Sequence, residues 1–217
     1  TVYNLCVDWN LFVYLEGSLI VPQTGAYQTP MRTTLNSSFL LPGQFQANIF
    51  GGGGVFTQPL GTNGQAYNIA PWSYSGSEGN AYNFGGNLAN ASAGYAPQVV
   101  DWVLVSLRLN PENGSEKICQ RAGLLYSDGH IEFAAGTNCC ALDPAESFYV
   151  VIEHRNHLIV MSHAAVPVVN GTLNYDFRNK QSYLNDGIGL GGYFAQNEVL
   201  PGVFAMYAGN GDQTSNT

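Results

Sequence analysis

Charge is what this 217-residue chain has least of. Only 10% of its residues are Asp, Glu, Lys or Arg, and Lys occurs just at Lys117 and Lys180; an ordinary globular domain carries about a quarter. Seven cations against fifteen acids leave a formal net charge of −8. That balance excludes backbone-driven contact with DNA, RNA or anionic lipid. Also missing is any run of roughly 18–20 apolar residues, so no membrane insertion is expected. No Cys-x-x-Cys pair offers a zinc site. There is no Gly-x-Ser-x-Gly elbow, dinucleotide fingerprint or phosphate loop, since Gly51 to Gly54 lack the Lys-Ser/Thr that must follow. Neither an enzyme nor a bound cofactor is expected.

What the chain does have is apolar material, 45% of residues, with 26 Gly and 13 Tyr. It is too hydrophobic and too weakly charged to be disordered. Its surface must consist of Asn, Ser, Thr, Gln, Gly and Tyr, which repel one another little and suit large assemblies or sugar contacts. The first residue is Thr1, with neither Met nor a cationic, apolar leader, as expected of a mature product after export. Four cysteines, Cys6, Cys119, Cys139 and Cys140, fit disulfides in an oxidising compartment. An extracellular or cell-surface location follows.

Strand signals dominate and helical periodicity is almost absent. Residues 11–15 alternate Leu11, Val13 and Leu15 on one face with Phe12 and Tyr14 on the other. Residues 99–109 form a long strand, apolar on both faces in its first half. Residues 119–126 and 130–133 flank Asp128-Gly129, whose preference for positive φ marks a hairpin turn. Strands are also predicted over 148–160, 165–169, 173–177 and 203–207. Residues 17–98 are rich in turn residues and should carry short strands and long surface loops. Strands at this spacing indicate a sandwich or a barrel. We expect one all-β domain over 1–217, a β-sandwich of immunoglobulin-like or jelly-roll-like type with long Gly/Asn/Tyr-rich loops. Residues 1–10 would be a pairing strand and 208–217 a tail.

Residues 149–162 carry the strongest signal for a special role. A β-branched strand this apolar belongs in a core, yet it contains Glu153, His154, Arg155 and Asn156, then His157. Buried charges must be paired, so the segment marks either a site or a buried polar network. We expect the network, with Arg155 buried against a carboxylate such as Asp101 or Glu78 and with His154, Asn156 and His157 serving loop backbone groups. On one continuous strand, His154 and His157 fall on opposite faces and cannot share a metal without a bulge. The acids Asp101, Glu153 and Glu78 show no pairing that would serve glycoside hydrolysis. Asn210-Gly211-Asp212 has too few oxygen ligands after it for calcium.

Several segments occur in a recognisable order: Leu15-Glu16-Gly17, Ala70-Pro71-Trp72 with Gly76-Ser77-Glu78, residues 99–108, 121–131, 149–162 and 201–212. Together they resemble a β-rich domain found near the C-terminus of large secreted proteins of Bacteroidota, mostly cell-surface cargo of the type IX secretion system. The resemblance runs from about Phe12 to Asp212, and its most specific parts are Val-Val-Asp-Trp-Val-Leu-Val and Glu-His-Arg-Asn-His-Leu. In that family a dockerin-like repeat often follows, and Ala208 to Asp212 looks like the start of such a junction. The resemblance implies a location at the cell surface and no assigned activity.

Two functional readings remain. One is a structural subunit that polymerises with itself into a surface filament or sheet. The apolar N-terminal stretch (Val2, Leu5, Val7, Leu11, Val13) would pair with a sheet edge of the next copy, or else within its own chain. The other is a carbohydrate-binding or adhesion module, in which Trp72, Tyr74 and Tyr82 stack on an extracellular glycan; for Trp72, plugging the core is the competing role. A two-residue turn at Asp128-Gly129 would set Cys119 opposite Asn138. We therefore expect Cys119 to bond within the 139–140 pair, to Cys139, leaving Cys140 for Cys6.

Overall fold

The structure, a computed structural model, describes residues 5–42, 44–46, 56–57, 65–82, 94–135, 139–184 and 195–209. In the first half lie β1 (Leu5–Cys6), β2 (Asp8–Phe12), the single-turn helices α1 (Glu16–Leu19) and α2 (Thr34–Ser37), β3 (Phe45–Gln46), β4 (Phe56–Thr57) and a 3-10 turn at Glu78–Tyr82. The regular part follows: β5 (Val99–Arg108), β6 (Cys119–Tyr126), β7 (Ile131–Glu132), β8 (Ala141–Leu142), β9 (Ser147–His154) and β10 (His157–Met161). The last strands are β11 (Val166–Val169), β12 (Thr172–Asp176), β13 (Gln196–Leu200) and β14 (Val203–Met206). The fold is all-β, and among the described residues no helix is long and apolar enough to cross a membrane.

One eight-stranded sheet dominates, in the order β2-β12-β11-β9-β5-β6-β7, with β10 also on β9. Its pairs are antiparallel except β2 with β12, which run parallel from Asp8↔Thr172 to Phe12↔Asp176. The sheet curls until its two edges meet. Phe12 bridges His130, and Val13 N–H donates to Gly129 O at 2.8 Å. The result is nearly a barrel, the shape an all-β sheet takes when it hides its own edges. The N-terminal stretch is therefore taken up at home. β1 pairs with β8 and β2 with β12, while Val7, Leu11 and Val13 are buried in the core. This corrects the expectation that the stretch offers itself to another copy; Val2 and the side chain of Leu5 lie outside the described residues.

The period-2 reading explains which side chains fill the barrel. Leu11, Val13 and Leu15 point inward, as predicted, against Val103, Val105 and Leu107 of β5 and Val150 and Ile152 of β9. The opposite face of β5 is buried as well. Trp102 and Leu104, with Ala122 and Leu124 of β6, lie under Leu41, Tyr67 and Tyr74 from the loop-rich first half. Leu41, Ala66, Tyr67 and Tyr74 thus lay a second layer over the sheet. Covering both faces of β5 fits its apolar run, since each fully buried Val or Leu contributes roughly 1.5–3 kcal/mol.

Two local geometries differ from the sequence reading. The β6–β7 connection has three residues, 127–129, because Leu125 faces Ile131 and Tyr126 N–H donates to His130 O. Gly129 takes φ +95° there, as a three-residue hairpin loop requires. And residues 148–160 are not one strand. β9 ends at His154, Arg155-Asn156 form the turn, and β10 starts with His157 opposite His154.

Candidate functional site

The hairpin turns the polar run of residues 153–157 into a cluster where β5 begins and β9 ends. Asp101, at the bulge of β5, is 1% exposed and His154 is 2% exposed. Arg155 Nη2 reaches both Asp101 oxygens, at 2.5 and 2.8 Å, and Trp102 N–H donates to Oδ1 at 2.8 Å. Asn156 N–H donates to His154 Nδ1 at 3.1 Å, so that nitrogen is an acceptor and the proton sits on Nε2. Nε2–H then donates to Asp101 Oδ2 at 3.1 Å. His157 Nδ1 lies 2.9 Å from His154 Nδ1 and must be its second donor. The chain of groups therefore runs Arg155, Asp101, His154, His157.

Its electrostatics follow from burial and pairing. Burial alone would raise the Asp101 carboxyl, but Arg155, His154 and the Trp102 N–H more than offset it and hold it at about 2. His157 is pushed down to about 3, first by burial and then by His154, with Asp101 opposing. It is neutral at physiological pH. Its Nε2 is buried without a hydrogen-bond partner, and a Cβ placed on Gly17 would stand 3.7 Å from it.

The expected network is thus partly assembled. The structure joins Asp101, Arg155, His154 and His157. It separates Glu153, which is buried on the other face of β9 and lies 3.8 Å from Lys117 Nζ. Asn156 is exposed, because it occupies the turn, and only its backbone takes part: its carbonyl accepts from Gly209 N–H at 3.0 Å. Arg155 is not fully buried either; its side chain is 27% exposed. Glu78 is no partner of Arg155. It accepts from the Tyr74 hydroxyl and, at 3.2 Å, from Ala122 N–H, anchoring the loop layer to β6.

The two histidines come together because they flank a turn. Even so, among the described residues no group of three or more His, Cys, Asp or Glu is placed to hold a metal ion. The aromatic residues proposed for sugar contact are not laid out as a platform. Tyr74 is buried, and Trp72 is half-buried with its ring 5.1 Å from Tyr67, edge to face. The side chain of Tyr82, like residues 210–217, lies outside the described residues.

Both disulfides join the 139–140 pair, but with the partners exchanged. Cys6 bonds Cys139 and Cys119 bonds Cys140. The physical reason is register. β7 ends at Glu132, so the β6–β7 ladder does not reach residue 139 and hairpin counting does not select the partner. Instead Cys6 faces Ala141 in the β1–β8 pair, with its Cα 5.4 Å from that of Cys139.

Three residues the sequence did not single out make further polar or aromatic contacts, one near the site and two far from it. Glu16 accepts from Tyr27 Oη at 2.6 Å, Asn197 Nδ2 at 2.6 Å and Ala208 N–H at 2.9 Å, fastening α1 to the last hairpin. Trp9 and Arg121 meet Phe133 at the opposite end of the barrel. A cation in an apolar strand was a signal for Arg121 alone; nothing of that kind marks Glu16, in α1, or Trp9. Comparison with protein-family models, curated proteins and solved structures returns no match.

Proposed function

We propose that this chain is a secreted structural β-domain without enzymatic activity, a subunit that assembles with copies of itself into a surface filament or sheet. The observation that carries this reading is the closure of the polar cluster. Asp101 and His154 are almost wholly buried and bonded to neighbouring groups, which suits a device for holding the β9–β10 hairpin better than one for turning over a substrate. Two disulfides are consistent with an oxidising extracellular setting. The resemblance to surface cargo of Bacteroidota points the same way. Assembly is supported by the low charge and by apolar side chains left in solvent, Phe39 at 55%, Ile69 at 58% and Val169 at 54% exposed. A polymer needs heterologous contacts, one patch of a subunit meeting a different patch of the next.

Electron microscopy of native material and light scattering over a concentration series test the reading. Mass should grow with concentration and change little with salt, since few charges are involved. Phe39→Asp with Ile69→Asp should keep the protein monomeric. A wild-type protein that stays monomeric at high concentration, with no polymer in its native source, overturns it. The second reading, a glycan-binding or adhesion module, loses Tyr74 as a sugar contact; a glycan array tests what remains of it.

A further inference from the structure

The sheet comes apart beside β11. Val168 and Val169 pair with Leu173 and Thr172 of β12, whereas Val166 and Pro167 pair with Phe148 and Ser147 of β9. The next rung toward β12 would set Pro167 against Asn174, and proline has no N–H to give. β12 runs on beside β2 instead, as far as Asp176↔Phe12. Where β11 and β12 part lies a cleft of about 530 Å³, whose lining includes His163, Ala165, Pro167, Asn174, Lys180 and Gln181. Tyr175, only 9% exposed, braces it: its hydroxyl accepts from His163 N–H at 3.0 Å and donates to Gln181 O at 3.4 Å. Concave sites with apolar walls and a few convergent polar groups are where small ligands bind.

The polar groups of this cleft reach solvent. Lys180 is exposed, its ammonium stands 5.1 Å from the Tyr175 ring centroid, and it belongs to no ion pair among the described residues. Asn174 is exposed too, and its Oδ1 accepts from Asn10 Nδ2 at 2.8 Å, which leaves its own Nδ2–H groups to give. His163 and Gln181, both exposed, add side-chain N–H donors. Among the described residues no Asp or Glu lines the cleft, and Asp176, which follows Tyr175, is paired with Arg178 Nη2 at 2.8 Å. The ligand must therefore bring negative charge and acceptors. A lysine ammonium is a compact point charge suited to a tetrahedral oxyanion, whereas flat, bidentate carboxylate recognition favours arginine. The ligand must also bring bulk, because the cleft equals the liquid volume of roughly eighteen waters, more than a bare anion fills.

We propose that this cleft binds a sugar carrying a tetrahedral oxyanion ester, the group shared by sulfated and phosphorylated extracellular glycans. The ester oxygens meet Lys180 and the Asn174 amide, hydroxyls meet Gln181 and His163, and the C–H face of the ring packs on Ala165 and Pro167. The site is separate from the cluster around Asp101 and does not depend on whether copies polymerise.

The test is a titration of ¹⁵N-labelled protein at low ionic strength, where the attraction is least screened. It is read at the Asn174 side-chain amide and the Ala165 backbone amide. The probes are glucose-6-sulfate, glucose-6-phosphate, glucuronate, glucose and inorganic sulfate. At least one of the two esters should move both signals saturably in the millimolar range, about tenfold more readily than the other three probes. Which ester does so tells a sulfated glycan from a phosphorylated one. Lys180→Gln, a change to an exposed side chain, should weaken that binding by about tenfold or more while the Trp102 indole signal stays in place, reporting an intact fold. Signals that ignore both esters overturn the proposal. An equal response to glucuronate, glucose or inorganic sulfate overturns it as well, and so does an ester affinity that Lys180→Gln leaves unchanged.

Discussion

Truncating Arg155 to alanine strands the Asp101 carboxylate in a place where water cannot replace the lost partner. Asp101 is 1% exposed and takes two contacts from Arg155. Removing one member of a buried ion pair costs about 3–5 kcal/mol, and Arg155→Ala should fall in that range at pH 7. The reverse perturbation is milder. The Arg155 side chain is 27% exposed and can turn to solvent, so Asp101→Asn should cost about 1.5–3 kcal/mol, the worth of hydrogen bonds to a charged group. The pH dependence gives the decisive sign. In the wild type, the carboxyl is held at about 2 instead of its ordinary 3.8, contributing about 2 kcal/mol that is fully present above pH 4 and lost as pH falls toward 2. Without Arg155, burial dominates and the folded carboxyl rises above its unfolded value. The folded variant then takes up a proton more readily than the unfolded chain, and its penalty shrinks on acidification. Urea unfolding of both proteins at pH 7 and pH 3, with disulfides intact and slopes compared, measures this directly. A penalty equal at both pH values, or an Asp101→Asn protein less stable than Arg155→Ala, refutes the reasoning.

Three further outcomes follow from the same structure. His157 is held neutral down to about pH 3, so the unfolded chain binds its proton first. Stability should fall as pH drops below about 6.5, by about 2 kcal/mol at pH 5, and calorimetry of His157→Gln should show a flatter profile over that window. Non-reducing peptide mapping should recover Cys6–Cys139 and Cys119–Cys140. From separations of 133 and 21 residues the bridges stabilise by about 5 and about 3 kcal/mol, so replacing the first pair with serine should lower the urea midpoint more than replacing the second; a Cys139–Cys140 bond contradicts the pairing. Deleting residues 1–10 removes buried Val7 and Trp9, part of β2 and one disulfide, and circular dichroism should report an unfolded chain. A cooperative, folded product would mean that β2 is dispensable to the barrel.

Local chemistry made much of this fold legible. The alternation of Leu11, Val13 and Leu15, the two-faced apolar run of β5 and the Asp128-Gly129 turn each act over a few residues, and each is where the sequence puts it. The Arg155–Asp101 pair was legible because a cation in an apolar strand demands a buried acid. What escaped is non-local or depends on single-residue counting. Nothing near residue 10 announces a parallel partner at residue 174, because pairing across such a distance is settled by the closure of the sheet. Arg155-Asn156 lacks the glycine that usually betrays a two-residue turn, so a hairpin read as a strand and the histidines were set on opposite faces. The disulfide partners escaped because the β6–β7 ladder stops at Glu132, while the pairing of Cys6 with Ala141 across β1 and β8 is non-local. The loop layer over β5 hid its role for another reason: Tyr67, Tyr74 and Glu78 act through single side chains spread along irregular backbone, which leaves no period to detect.

The Cys6–Cys139 bond also decides how the molecule bears a load. Tension that enters before residue 6 and leaves after residue 139 passes straight through the sulfur bridge, so β2, β5, β6 and β7 are bypassed as mechanical elements. The enclosed stretch, 133 residues by sequence separation, would otherwise pay out on the order of 450 Å of slack at roughly 3.5 Å per residue. Under oxidising conditions that length is locked away, and only the strands after Cys139 remain to be drawn out. A chain pulled from its two ends would lengthen little before its remaining strands had to shear, because the sulfur bridge acts as a covalent stop.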